Sequence, residues 1–451
     1  MSPKLQPVRG THDILPDEFE KFHAVVTLAR ELATLYGFKE MATPIFEPTE
    51  VFSRSMGETS DVVSKEMFTF ETKGGESVTL RPEFTAGIVR AFLSNGMQQH
   101  LPLKLFSTGP LFRYERPQKG RQRQFHQVNF EYLGYDSPAA DVEIICLAGH
   151  LLYSLSGKTG CTLQINTLGD RESRLRYREV LVDYLTPFTN ELSESSKLRL
   201  MINPLRILDS KDPQDKKITE GAPKITSHLN DNSKRRFDFV YKRLSEMPGL
   251  QRIQITPSLV RGLDYYTDTI FEFVAEIGEL GTQNTVLAGG RYDGLVEQLG
   301  GSPVSAIGFA AGVERLLLLS KGLDWENIQD IKIAVIPFEE IGAESTLLIT
   351  AVLRNELYAH QRSTRIKGNY AVEILWQGNL KKRMERAAQR GATHVLILGP
   401  DEVARDACII KNMKTGEQRE VALDYLKDER KLIEILSIIE LDSRLRGNDK
   451  A

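Results

Sequence analysis

The sequence predicts an α+β chain in two parts: an antiparallel sheet domain over residues 1–325, carrying a helical insertion at about 171–250, and a small α/β domain over 331–436. Three observations predict it. The stretch LKLFSTGPLFRYERPQKGRQRQFHQVNFEYLG, Leu103 to Gly134, reads as two antiparallel strands joined by a long basic loop. From Arg171 to roughly Leu250 charge rises and strand pattern fades, as in a mostly helical insertion. Beyond Asp330 buried-type strands alternate with helices, the pattern of a small α/β unit.

Side chains alternate between the faces of a strand. In the hairpin this puts Arg113 and Glu115 on one face of the first strand, and Gln127, Asn129 and Glu131 on one face of the second. Val128, Phe130 and Tyr132 take the other face. One apolar face and one lined by Arg, Glu and Gln make a poor core element but a suitable floor for a small charged ligand. The loop adds Arg116, Lys119, Arg121 and Arg123 with no acidic neighbour, which suits polyphosphate or a nucleic-acid backbone.

Taken in order, Pro16, Asp17, Glu18 and Glu20 favour a helix start, and Phe19, Phe22, Val26, Ala29, Leu32 and Tyr36 recur at helical spacing up to Gly37. KEMATPIFEP follows as an extended segment whose Pro44 suits an edge or an interface. Met67–Thr72 and Ser77–Leu80 read as strands, and LRPEFTAGIVRAFL as a strand end running into a helix, with Glu83 and Thr85 at the junction. Thr85 there is also a plausible N-cap. Asp141–Leu155 is predicted helical, and GKTG at 157–160 is a turn, because Leu152 stands where a phosphate loop needs glycine. Strands resume at Ile253. AIGFAAGVERLLLLS then predicts a strand, a glycine-rich turn with Gly312 at a close approach, and a helix with Arg315 in its first turn.

In the second part KIAVIPF, AVEILWQ and THVLILG read as strands, with helices over Ser345–Leu357 and Asn379–Arg390. Arg362, Arg365, Lys367, Lys381, Lys382, Arg383, Arg386 and Arg390 face only Glu373 and Glu385, a candidate RNA-facing patch that a solvated helix face would match almost as well. The tail beyond Ser437 is charged and expected to be flexible.

At 451 residues with a net charge of −3, nucleic-acid binding must come from local patches. Cys146, Cys161 and Cys408 form neither a metal pattern nor a disulfide framework, which points to a reducing compartment. The first residues lack a signal-peptide core, and no run reads as a membrane span, so the expected location is cytoplasmic. No H-E-x-x-H, no G-x-S-x-G and no complete phosphate loop occurs, and no protein-held metal is predicted. What remains is a set of arginines and carboxylates at strand ends: Glu83, Thr85, Arg113, Glu115, Gln127, Glu131, Arg261, Tyr265, Tyr266 and Arg315. Arginine pairs bidentately with phosphate, and carboxylates pair with ammonium or ring N–H groups. The set suggests a nucleotide bound beside a small cationic or zwitterionic molecule.

Three stretches resemble the motifs of class II aminoacyl-tRNA synthetases: the helix and strand carrying Pro44, the F-R-x-E hairpin Phe112–Glu115 with its loop and Phe125, and G-x-E-R, Gly312–Arg315. LVRGLDYYT and AGGRYDGLVEQLGG are similar to the histidine-specific signatures of the histidyl-tRNA synthetase family, as are RPQKGRQRQFHQ and VRGTHDILP. The resemblance implies a six-stranded antiparallel catalytic core, a C-terminal anticodon-binding domain and a homodimer formed through the Pro44 region. It implies histidine, ATP and tRNA(His) as substrates, with Mg²⁺ as the phosphate-bound ion.

By motif position, Glu83 and Thr85 would hold the α-ammonium and Gln127 the amino-acid backbone. Glu131 and Tyr266 would read the imidazole, with Tyr265 lining the same pocket. Arg113 and Arg261 would flank the α-phosphate as catalytic groups. Phe125 would stack on adenine, Glu115 would accept from its amino group, and Arg121 and Arg315 would hold the outer phosphates. Arg116 and Arg123 would reach the acceptor end of the tRNA. The rival from another class is a catalytically silent relative, a regulatory subunit of ATP phosphoribosyltransferase. It should lack both the C-terminal domain and the reactive arginines present here.

Overall fold

In the computed structural model, the described residues are 5–57, 60, 62–115, 121–156, 161–247, 250, 252–275, 284–320, 331–338, 346–347, 349–355, 357, 370–405 and 407–422. Arg116, Lys119, the GKTG segment, Arg362, Arg365, Lys367, parts of the Ser345–Leu357 helix and the tail beyond Ser437 lie outside them. The chain divides into Met1–Leu323 and Asp324–Ala451.

The first unit opens with α1 (Pro16–Leu35), which has proline and two acidic residues at its positive end and buries Val25, Val26, Ala29, Leu32 and Ala33. Strand β1 (Lys39–Glu40) leads to β2 (Phe46–Pro48), α2 (Thr49–Met56), β3 (Phe68–Glu71) and β4 (Ser77–Leu80). The strands β2, β4 and β3 form a small antiparallel sheet with β2 at an edge. Helix α3 (Thr85–Ser94) precedes the hairpin of β5 (Leu103–Phe112) and β6 (Gln124–Leu133). Then come α4 (Pro138–Ser156) and β7 (Cys161–Thr167).

The insertion is helical, as its composition predicts: α5 (Arg171–Leu185), α6 (Glu194–Ile202), α7 (Pro213–Thr219) and α8 (Asp231–Glu246). Each starts where a short polar side chain accepts from the first turn's N–H groups: Asp170, Ser193, Asp212 and Asn230. After β8 (Ile253–Ile255) the sheet is completed by β9 (Thr267–Ala275), β10 (Thr285–Arg291) and β11 (Ala306–Gly312), with the one-turn helix α9 (Leu295–Gln298) between the last two. β11 passes directly into α10 (Val313–Leu319), without the predicted turn. Gly312 has an ordinary φ of −72°, and an added Cβ would meet only Arg315 atoms at 3.8 Å or more. The close approach lies instead at Gly308, four residues earlier.

The large sheet runs β1-β5-β6-β11-β10-β9-β7-β8. The six central strands are mutually antiparallel, and β1 and β8 are added parallel to β5 and β7 at the edges. Register decides where the chemistry falls. Phe130 sits opposite Phe106 on one side and Phe309 on the other, and Phe38 closes the row edge-to-face. One residue on, the opposite face carries Glu131 between Leu105 and Gly308. The apolar and polar faces of the hairpin are therefore separated as the alternation predicts.

The strand carrying Arg113 is shorter than the sequence suggests. β5 ends at Phe112, and the Glu115 N–H turns back to the Arg113 carbonyl at 2.8 Å, which takes the chain out of the extended ladder. α4 also corrects an expectation, since by length and apolarity it could cross a membrane. Here it buries Ile144, Ile145, Leu147, Ala148, Leu151 and Leu152 and packs on β10 and β11.

In the second unit a five-stranded sheet runs β13-β12-β14-β15-β16, built from β12 (Ile331–Pro337), β13 (Tyr370–Ile374), β14 (His394–Leu398), β15 (Ala407–Asn412) and β16 (Gln418–Ala422). The first three strands of that order are parallel and the last two antiparallel to their neighbours. The helix Leu380–Gln389 is capped by Asn379.

The first unit holds a buried ion-pair network. Arg291 at the end of β10 is fully buried and donates to Asp141 of α4 and, at 3.1 Å, to Asp293. Thr269 of β9 donates to the other Asp141 oxygen at 2.8 Å. Removing one partner leaves an uncompensated charge in the interior, so Arg291→Met should cost about 3–5 kcal/mol in urea unfolding. Adding Asp141→Leu should recover part of that loss; additive losses would refute the pairing.

Candidate functional site

Glu83 stands at the mouth of α3, and its carboxylate accepts from the Thr85 and Ala86 N–H groups at 2.6 and 2.7 Å. It does the work the sequence offered to Thr85. The Thr85 hydroxyl is thereby left to donate to Glu131 Oε1 at 2.5 Å. The other Glu131 oxygen accepts from the Tyr292 hydroxyl. Both carboxylates are buried, at 5% and 1% exposure, and burial raises the pKa of each. For Glu131 burial outweighs the Thr85 and Tyr292 hydrogen bonds, Glu83 adds a like charge, and the group is pushed up to about 7. Glu83 is held back by its backbone N–H partners and by the Arg113 charge.

Gly308 makes room for this carboxylate. A Cβ there would collide with Glu131 Oε2 and with the Phe130 carbonyl. Tyr265 and Tyr266 pack beside it with ring centroids 4.7 Å apart, and Tyr265 meets Tyr292 edge-to-face at 5.7 Å. Burial raises all three phenols, so their hydroxyls stay protonated and can donate.

The arginines gather next to this acidic and aromatic floor. Arg113 donates from Nε to the Pro82 carbonyl at 2.9 Å and lies 5.4 Å from the Phe125 ring. Arg315 donates to the Thr285 carbonyl. Its pKa is lowered first by burial and then by the charge of Arg121, with Arg113 adding to the effect. Arg315 thus feels the charges of both Arg121 and Arg113, partly offset by Glu115 and Glu314, a crowding of cations that an anion would relieve. Glu115 and Arg121 pair with each other at 2.8 Å. Arg123 stacks over Tyr114, 3.8 Å from its ring centre. Arg261 pairs with Glu272 at 3.2 Å and lies 5.9 Å from the Tyr266 ring. Its Nε is buried without a hydrogen-bond partner among the described residues, a donor that a phosphate oxygen would satisfy.

One cavity of about 510 Å³ is lined by Glu83, Thr85, Arg113, Glu115, Arg121, Phe125, Gln127, Glu131, Arg261, Tyr265, Tyr266 and Arg315. The structure therefore brings every residue predicted for histidine and ATP to one place, while Arg123 lies outside this lining and Arg116 outside the described residues. It adds residues that sequence reasoning passed over: Tyr292 and Glu272, and from the insertion Asp209 and Lys211. Tyr292 lies inside AGGRYDG, but its role depends on β10 and β6 flanking β11, which no local pattern reveals. Asp209 and Lys211 sit in a charged stretch with no distinguishing spacing.

The insertion also grips the segment that carries Arg261, Tyr265 and Tyr266. Arg206 donates to the Gly262 carbonyl at 2.7 Å, Asn203 to Asp264 at 2.8 Å and Arg174 to the Tyr266 carbonyl at 2.5 Å. A smaller cavity of about 320 Å³ lies along these contacts and shares Val260, Arg261, Leu263 and Tyr266 as a wall with the larger one.

The Glu131 environment has a thermodynamic signature. Its carboxyl rises from 4.5 to about 7 on folding. The contribution to stability is therefore complete below about pH 4.5 and is lost as pH climbs through about 7. Glu131→Gln removes the buried charge. It should unfold at a higher temperature than the unaltered protein at about pH 8, by on the order of 3 kcal/mol, and lose that advantage toward about pH 5. An equal difference at both pH values would contradict the burial argument.

Comparison with known proteins locates this architecture. The family model for histidyl-tRNA synthetase matches residues 10–169 and 205–316, and the model for the anticodon binding domain matches 332–431. A histidine–tRNA ligase from Gluconobacter oxydans is 48% identical over 417 residues, 92% of this chain and 96% of that protein. The apo histidyl-tRNA synthetase of S. aureus superposes with a TM-score of 0.73 at 33% identity, covering 94% of this chain and 98% of that one. A Bacillus halodurans structure described as an ATP phosphoribosyltransferase regulatory subunit/histidyl-tRNA synthetase shares the fold at a TM-score of 0.58 and 20% identity, covering 87% of this chain and 98% of that one. With the family model spanning more than half of its length and near-complete coverage of close relatives, the chain belongs to the histidyl-tRNA synthetase family.

Proposed function

We propose that the cavity joins L-histidine to tRNA(His) in two steps, as a histidine–tRNA ligase. In the first, a histidine carboxylate oxygen attacks the α-phosphorus of ATP. The new O–P bond forms as the bond to the β-phosphate bridge breaks, giving histidyl-adenylate and pyrophosphate. In the second, a ribose hydroxyl at the 3′ end of the tRNA attacks the acyl carbon and AMP leaves. The observation that carries this reading is the meeting, in one cavity, of a buried carboxylate–tyrosine floor and a cluster of arginines, two of which depress the pKa of Arg315.

Glu131 accepts a ring N–H of the histidine side chain, and Tyr266 donates to the other ring nitrogen, with Tyr265 against the ring. Glu83 and the Thr85 hydroxyl oxygen take the α-ammonium, and Gln127 the amino-acid backbone. Arg113 and Arg261 flank the α-phosphate and stabilise charge as it develops, while Arg121 and Arg315 hold the outer phosphates. Phe125 stacks on adenine. Glu115 accepts from the adenine amino group once Arg121 swings from their ion pair to phosphate. Arg123 is available to the acceptor end of the tRNA.

Mg²⁺ would accompany ATP, since a small hard cation is held by phosphate oxygens and water with one or two carboxylates rather than by a dedicated protein cage. Among the cavity carboxylates, Glu272 would be available to help hold the ion. The ion would neutralise phosphate charge. The protein acts as a cytoplasmic homodimer. The small sheet supports the contact, with Ile45 and Phe46 at its β2 edge and Phe70 on β3, each 44–55% exposed.

Histidine-dependent exchange of pyrophosphate into ATP tests the first step. The purified protein should exchange with histidine and with no other amino acid, and Arg261→His should lower the rate by about 10²–10³-fold. Exchange that ignores the amino acid supplied would refute the reading. Tyr292→Phe deletes the donor to Glu131, a hydrogen bond to a charged group, and should raise KM for histidine by about 10–100-fold with a smaller effect on kcat. An unchanged KM would exclude Tyr292 from imidazole recognition.

A further inference from the structure

We infer that Trp376 is a stacking platform for an unpaired RNA base, set on a rigid turn and flanked by a cationic helix start. The inference rests on the tRNA-charging reading above and deepens it by assigning a contact in the second unit. Trp376 follows β13, just past the buried Leu375, and is 45% exposed. The next residues, Gln377 to Lys382, are all exposed, so an indole stands at the head of a polar, basic surface turn.

The turn is held from beneath. Arg386 donates to the Gln377 carbonyl at 2.8 Å and Arg383 to the Gly378 carbonyl at 2.5 Å, while Asn379 caps the Lys382 N–H at 3.0 Å. Gly378 takes a φ of +98°, which glycine reaches without penalty. A large apolar ring left half-exposed on a preorganised turn gives a flat face whose ordering cost is already met.

Charge placement points to the partner. The helix Leu380–Gln389 begins with Lys381 and Lys382 in its first turn and no acidic residue there. Helices favour carboxylates at that end and cations at the other, so two lysines there oppose the helix dipole. They add to the field of the helix N-terminus beside an exposed indole. A base with its flanking phosphates matches both features: the ring stacks on the indole, and the phosphates meet the lysines and the helix end. A duplex does not match, because its bases are already stacked on one another.

The test exploits the presence of only two tryptophans, Trp325 and Trp376. Trp325→Phe leaves Trp376 as the sole indole, and its emission is followed during titration with an RNA hairpin carrying the anticodon loop of tRNA(His). Saturable quenching by the hairpin, and none by a blunt duplex of the same stem, is expected. In charging assays Trp376→Ala should raise KM for the tRNA tenfold or more, by the strength of base–aromatic stacking, and Trp376→Phe should stay within about threefold of the unaltered protein. Both variants should retain histidine-dependent pyrophosphate exchange. Emission unmoved by the hairpin, quenching equal with the duplex, or an unchanged KM in Trp376→Ala overturns the assignment. The titration needs no turnover, so its failure strikes this site alone, whereas absent exchange in the unaltered protein strikes the proposed reaction.

Discussion

The first unit depends on a carboxylate buried in the middle of a sheet. Glu131 is 1% exposed, and a charge so placed is costly unless its surroundings answer it. Thr85 and Tyr292 answer each oxygen, yet not enough to bring the group back to its ordinary range. The fold holds this position open at several points of the chain at once. β11 must carry glycine at 308, α3 must be capped by Glu83 so that Thr85 is free to turn toward β6, and β10 must end where Tyr292 can reach across. A site whose stabilising partner is incomplete in the free protein is poised for a ligand that supplies the missing donor.

The second constraint is the separation of opposite charges within one cavity. Carboxylates and phenols occupy the deep floor, and arginines crowd the neighbouring wall. Arg113 belongs to both, tied to the Pro82 carbonyl at the α3 junction while its charge acts on Glu83 and Arg315. A zwitterion next to a polyphosphate is the ligand pair that such a field orients, since neither end tolerates the other's charge. The insertion enters through the backbone. Arg174 and Arg206 hold carbonyls of the Arg261–Tyr266 segment, so helices that seemed remote from chemistry set the position of an arginine and two tyrosines.

The sequence made some of this visible and hid the rest for physical reasons. Alternation in β6 placed Gln127, Asn129 and Glu131 on one face because a strand's period is fixed by its backbone. The helical insertion and the alternating second unit were legible in the same way, from composition and period. What stayed hidden depends on proximity across the fold. Thr85 looked like a cap because helix starts attract threonine, but the helix already begins at Thr85, and Glu83, two residues earlier, takes the first N–H groups, those of Thr85 and Ala86. Gly312 looked like the close approach because glycines cluster there, whereas only register opposite Glu131 singles out Gly308. The membrane-like run of α4 is apolar because it is packed on the sheet, and apolar length alone cannot separate the two environments.

These features bear on selectivity. A pocket that rejects ligands by shape alone gains little from a missing group, about 10–200-fold per methylene. A pocket that leaves buried polar groups unpaired when the wrong ligand enters gains far more, about 10⁴–10⁵-fold. Thr85 and Tyr292 leave the buried Glu131 above its ordinary range, so in the proposed histidine site an amino acid without a ring N–H would enclose that carboxylate without supplying the further donor. If the proposed histidine site holds, the same burial that raises Glu131 toward neutrality sets the penalty for a wrong substrate, and the instability this carboxylate imposes on the free protein is the source of that discrimination.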